Sequence, residues 1–238
     1  MEKSGIIKTA ALATTILGGL AIAAPNALAQ ETPPPSEGGA SGTRLFLFSP
    51  VGPGQGNGVI GMGGKVFLFL PTYDLHYVRG LLDQLDLYFD LNTLVVINAV
   101  DLGLRVRAVG DADAGFALGI KAGVSPLFAF LSLGDAGTAG AVSFAATPGL
   151  VVSFGGRSTQ FTLGFDLPIY FGSAGFVAGG EASSTGTSSD ITLVGRPAAS
   201  IEWLVGSTTN MYIQASGLIS FASVGGFFGP IVAIGAAW

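Results

Sequence analysis

The stretch from Val100 to Val124, VDLGLRVRAVGDADAGFALGIKAGV, contains two strands, the turn between them and the chemistry of both their faces. Successive side chains on a strand point to opposite sides, so strand structure is read from a period of two. Val100, Leu102, Leu104, Val106 and Ala108 fall on one face, and Asp101, Gly103, Arg105, Arg107 and Val109 on the other. After the turn GDADAG (110–115) the alternation resumes, with Phe116, Leu118, Ile120, Ala122 and Val124 opposite Ala117, Gly119, Lys121, Gly123 and Ser125. This is a β-hairpin with one continuous apolar face and one face of small and charged residues.

The same division recurs on both sides of the hairpin. Upstream, Phe67, Phe69, Tyr73, Leu75 and Tyr77 oppose Leu68, Leu70, Thr72, Asp74 and His76, and Leu85, Leu87, Phe89 and Leu91 oppose Asp86, Tyr88, Asp90 and Asn92. Downstream, the clearest strand sets Phe161, Leu163, Phe165, Leu167, Ile169 and Phe171 against Gln160, Thr162, Gly164, Asp166, Pro168 and Tyr170. Further strands cover 142–154, where Pro148 requires a bulge or break, 191–205, 211–221 and 232–238. Arg44 to Phe48 is apolar on both faces and is taken as the first strand, followed by a Gly-rich loop over 52–64. The total is about ten strands, roughly eight to twelve, with short turns on one side and longer loops at 125–140 and 172–189 on the other.

Composition sets the solvent. Of 238 residues, 49% are apolar and only 11% are charged, where a soluble domain carries roughly 25% charge. No apolar run beyond residue 30 reaches the roughly 18 residues of a membrane helix, which leaves membrane crossing to strands. The formal net charge of −5 disfavours a polyanion such as nucleic acid as partner. The chain has no cysteine and therefore no disulfide staple or thiolate metal site.

Alternating strands could also build a soluble sandwich or a cup with an apolar interior, but either must wet its second face with many charged and polar residues. Here that face is mostly Gly, Ala and Ser with a few charges per strand. Small groups and sparse charges suit the interior of a narrow barrel, and large aliphatic and aromatic groups suit hydrocarbon outside. The expected fold is therefore all-β, a closed antiparallel transmembrane β-barrel. Tyr77, Phe116, Phe161, Trp203 and Trp238 would then form a belt of rings at the membrane interface. The terminal Trp238, preceded at alternate positions by Ala236, Ile234 and Val232, resembles the C-terminal strand signal of bacterial outer-membrane proteins.

Residues 1–29 also differ from the rest: Lys3 and Lys8 precede an uncharged run from Thr9 to Ala24, then Pro25 and the site Ala27-Leu28-Ala29. This resembles a secretory signal peptide cleaved after Ala29. Residues 30–42, QETPPPSEGGASG, read as a disordered, partly polyproline periplasmic tail. The barrel is assigned to 43–238. The expected location is a bacterial outer membrane, with its lipid and its assembly machinery as partners.

Inside such a barrel the alternation places Asp86, Asp90, Asp101, Asp166 and Glu202 with Arg105, Arg107, Lys121 and Arg196. The signs nearly balance, and charges in a low-dielectric lumen need partners, so a salt-bridge network filling the bore is expected. A narrow channel tuned by the same groups is the alternative. Asp74 and His76 share a face, but outer-membrane barrel enzymes such as the omptin proteases, lipid A deacylases and phospholipases pair His with Asp or Ser. Here His76 is expected near the periplasmic end of its strand, and Val78 occupies the position where a Ser would stand. No catalytic set, cofactor or metal site is expected. The G-x-G-x-x-G spacing at Gly56, Gly58 and Gly61 lacks a following helix and reads as surface loop. Asp111 and Asp113 read as turn formers rather than calcium ligands.

Overall fold

The computed structural model describes residues 46–67, 70–94, 97–111, 114–132, 138–178, 184–221 and 226–238. The expected signal peptide, its cleavage site and the Pro-rich tail lie outside these residues. One 11-stranded antiparallel sheet is formed by β1 (Gly58–Phe67), β2 (Leu70–Leu82), β3 (Leu85–Leu94), β4 (Ile97–Asp111), β5 (Phe116–Ser132), β6 (Thr138–Gly155), β7 (Thr159–Asp166), β8 (Ile169–Ala178), β9 (Ser184–Val205), β10 (Thr209–Ser220) and β11 (Gly226–Ala237). The sheet closes where β11 returns to β1, from Gly61 opposite Ala237 to Val66 opposite Val232. Backbone bonds between Ile60 and Trp238, at 3.0 and 2.9 Å, extend that seam. Closure removes the free edges, a requirement in hydrocarbon, where an unpaired amide costs several kcal/mol.

β7 and β8 share one position in the ring, since both pair with β6 on one side and β9 on the other. The eleven strands therefore make ten staves, and two prolines account for the division. Pro148 on β6 accepts Leu167 N–H at 2.8 Å, and Pro168 accepts Val194 N–H at 3.1 Å. A strand residue's N and O point to the same side, so Pro148 presents no donor to the β7–β8 junction and Pro168 none to β9. β6 itself runs unbroken, and the interruption expected at Pro148 falls in its neighbour.

The faces lie as the alternation requires. Phe161, Leu163 and Phe165 are 43%, 44% and 41% exposed, with Leu102, Leu104 and Ile120 likewise turned outward. Asp74, His76, Asp86, Tyr88, Asp101, Arg105, Thr162 and Glu202 are buried in the bore. Val109 is an exception: a register shift between Arg107 and Val109 in the β4–β5 pair turns it outward, at 56% exposure.

Three expectations are corrected. First, residues 46–48 are not a strand but part of an inner segment, 46–57, in which Phe46, Leu47, Ser49 and Val51 are buried. A stretch apolar on both faces suits a segment enclosed on every side. Second, the supposed loop over 52–64 holds most of β1, whose Ile60 and Met62 face out while Val59 faces in. Third, 125–140 and 172–189 are largely strand, because β5, β6 and β9 run for 17, 18 and 22 residues. A membrane crossing needs about 9 to 11 residues, so this wall rises beyond it. Thr185 to Asp190 are exposed on both faces of β9, as a sheet standing in water would be.

Candidate functional site in the barrel bore

Period-two alternation on adjacent, in-register strands brings inward residues side by side, and cross-strand pairing then fixes their partners. Three groups result. The lowest surrounds the inner segment. Glu202 Oε1 accepts Leu47 N–H at 2.7 Å, and Oε2 accepts Phe48 N–H at 3.1 Å and Ser49 N–H at 3.3 Å. Asn210 Nδ2 donates to Oε1 at 3.0 Å. Arg105 donates to Leu47 O at 2.7 Å through Nη1 and to Asp86 Oδ2 through Nε and Nη2 at 3.2 and 2.9 Å. Ser49 Oγ bonds Ser153 Oγ at 2.9 Å. The segment is thus held by its own main chain, with one carboxylate satisfying consecutive amides that would otherwise be buried without partners.

The second group lines β1 to β3. His76 lies between two carboxylates, Nδ1 at 2.6 Å from Asp90 Oδ1 and Nε2 at 2.7 Å from Asp74 Oδ2. Lys65 pairs with Asp74 at 3.1 Å and donates to Asn92. Phe48 stands edge-on to His76 and Tyr212, with centroids 5.0 and 5.2 Å away. The third group lines β4 to β9. Arg196 bonds Asp101 at 2.7 Å and Asp166 at 3.4 Å, Lys121 bonds Asp166 at 2.9 Å, and Lys121 Nζ lies 4.9 Å from the Tyr88 centroid. Ser125 joins Asp101 to Thr147.

Asp86, Asp90, Asp101, Arg105, Lys121, Asp166, Arg196 and Glu202 therefore meet in these networks, while Arg107 lies at the rim and donates to Asp83 O at 2.9 Å. Lys65, Asp74 and His76 join this lumen set. The alternation alone suggests one strand over 65–78, whereas Lys65 lies on β1, where Val59, Gly61, Gly63 and Lys65 alternate with Ile60, Met62, Gly64 and Val66. His76 lies inside β2, which continues to Leu82, rather than near its end. Of the interface aromatics, Phe116, Phe161, Trp203 and Trp238 lie close to strand ends beside the turns at 114–115, 156–158 and 206–208 or at the last residue, 238; Tyr77 lies deeper, opposite Ile60 and Phe89. Asp111 caps its turn, accepting Ala114 N–H at 2.7 Å.

Above the inner segment the bore opens into a cavity of about 610 Å³. Leu47 and Phe48 form its floor, and His76, Asp90, Lys121, Asp166 and Arg196 lie on its walls. Both ring nitrogens of His76 are engaged by carboxylates, which leaves neither free to take a proton from a hydroxyl nucleophile. Among the described residues no group of three or more His, Cys, Asp and Glu side chains is placed to hold a metal ion.

The ring is closed, its exterior apolar and its interior charged. The fold is that of a small outer-membrane β-barrel. In comparisons with solved structures the chain is similar to the N-terminal β-barrel domain of Pseudomonas aeruginosa OprF, at 12% identity over 77% of this chain and 97% of that one, with a TM-score of 0.38. It is also similar to the outer membrane protease OmpT of Escherichia coli, at 10% identity over 76% and 93% of the two chains, with a TM-score of 0.46. No family model matches the chain, and no curated protein does.

Proposed function

We propose that the chain is an exported barrel of a bacterial outer membrane whose bore is plugged by its own inner segment, and that it acts as a structural or surface-interaction component without catalysing a reaction. Lipid and the barrel-assembly machinery, the latter through β11, are its partners in this reading. The observation that carries the plug is the clasp on Glu202: three consecutive amides of the inner segment share one buried carboxylate. Charge-assisted bonds of this kind are individually worth roughly 1.5 to 3 kcal/mol, enough together to keep a short segment seated. The raised wall of β5, β6, β8 and β9 supports the surface role, since its Ser- and Thr-rich end at Thr185 to Asp190 lies exposed.

The second reading is a narrow channel, favoured by the cavity above the segment. Planar-bilayer recording of the full chain separates the two. The plugged barrel gives no steady openings; openings abolished by Arg105→Ala or Asp166→Ala would overturn it.

A further inference from the structure

We infer that the cavity above the inner segment binds an aliphatic monocarboxylate, with its carboxylate between Lys121 and Arg196 and its alkyl tail pointing away from the segment. This goes beyond the plugged-barrel reading, with which it shares only the cavity floor.

The inward face changes character along the strands. Two positions further from the end that carries Trp238, Val194 follows Arg196 on β9, Leu127 follows Ser125 on β5, and Leu218 follows Ser216 on β10. All three aliphatic residues are half-buried and line the cavity, and Ala99 on β4 joins them as the cross-strand partner of Leu127. Lipid accounts for apolar side chains on the outside of a barrel, whereas a bore that served only water or ions would be polar throughout. A cavity that is largely apolar with a few placed polar groups is what a small-molecule site requires, and about 610 Å³ falls within the roughly 300 to 1,000 Å³ of such sites.

The charged layer beneath selects the sign of the head. Among the described residues Lys65, Arg105, Lys121 and Arg196 line the cavity against Asp90, Asp101 and Asp166, so cations are in excess by one before His76 is counted. The remaining carboxylates of the bore are not part of this lining. Asp74 and Asp86 are buried against Lys65 and Arg105, and Glu202 is taken up by the amides of the inner segment. A cavity lined by a cationic excess attracts an anion.

Hydrogen-bond donors are in surplus as well. Lys121 donates to Asp166, and Arg196 donates once to Asp101 and once to Asp166, fewer bonds than the three and five N–H groups these side chains carry. The two side chains are 19% and 23% exposed, so N–H groups remain for a ligand. Both reach the same oxygen of Asp166, at 2.9 and 3.4 Å, and they therefore stand close enough to grip a second carboxylate together through charge-assisted bonds. From there the tail runs past Val194 and Leu127 toward Ser220, which lines the cavity at the end of β10 away from Trp238.

The test uses the full chain in lipid nanodiscs and isothermal titration with octanoate, butyrate, octan-1-ol and octyltrimethylammonium, with empty nanodiscs subtracted. Saturable binding of octanoate is expected, with octanol at least tenfold weaker and no binding of the ammonium. Each methylene taken out of water is worth roughly fourfold in affinity, so butyrate should also bind at least tenfold more weakly. Lys121→Gln, at the head, and Leu127→Asn, at the tail, should each weaken octanoate at least tenfold. Absence of saturable octanoate binding, equal or tighter binding of any of the other three probes, or affinity unchanged by both substitutions would overturn the assignment. Leu127→Asn touches no ion pair and decides the matter should Lys121→Gln fail to give a heat-modifiable barrel. Bilayer conductance reports on the plug independently, so each idea can fail alone.

Discussion

The ring of Tyr212 occupies the space that a β-carbon on Gly235 would need. The arrangement extends over three strands, because Tyr212 on β10 is in register with Gly235 on β11 and Gly63 on β1, and its hydroxyl lies equally close to Gly63. Tyr88 does the same across Gly103 and Gly123 on β4 and β5. Inward glycines are thus seats for tyrosines lying flat against the barrel wall.

Gly235→Ala and Gly103→Ala should therefore each destabilise the barrel by about 1 to 3 kcal/mol through overpacking. Gly64→Ala, where nothing lies within 4 Å of the added carbon, should lie within about 0.5 kcal/mol of the parent. Urea midpoints followed by heat-modifiable gel migration measure all three, and equal effects at Gly64 and Gly235 would contradict the seating.

Glu202→Ala removes the shared acceptor of the inner segment. Its amides lose bonds of about 1.5 to 3 kcal/mol each, and the segment should leave the bore for part of the time. Limited proteolysis should then cut within 46–57, where the parent resists, and steady bilayer openings should appear.

Leu163→Arg places a charge on the outer face, where the leucine is 44% exposed. At mid-bilayer the expected cost is about 2 to 4 kcal/mol. Gln214→Arg, whose side chain lines the cavity, should cost clearly less, and equal losses in urea titrations would argue against lipid on the outside.

His76→Leu leaves Asp74 and Asp90 without the group that separates them. Breaking a buried charge pair in this way costs roughly 3 to 5 kcal/mol, so a large drop in urea midpoint is expected. Lipid A and phospholipid profiles of cells carrying the variant should match those of the parent; loss of a modified lipid would assign His76 a catalytic part.

How much of this was legible in the sequence follows from what each segment needs from its surroundings. Phe161 to Phe171 declares its faces because one meets hydrocarbon and the other a polar bore, and the two environments select opposite residues. In 58–67 the signal is blurred by Gly58, Gly61, Gly63 and Gly64, since glycine fits either face. The raised ends of β8 and β9 read as loops because both faces are wet and nothing selects an apolar residue at every second position. Individual inward charges could be named from the alternation. Their partners could not, because cross-strand register joins residues as distant as Asp101 and Arg196.

The seam between β1 and β11 joins the first and last strands of the described chain, and contacts so distant in sequence form late. The segment gripped by Glu202 ends where β1 begins, at Gly58. The occupant is therefore tethered to the first stave before the wall is complete. The final step of assembly is to zip the cylinder shut around a guest that is already covalently its own.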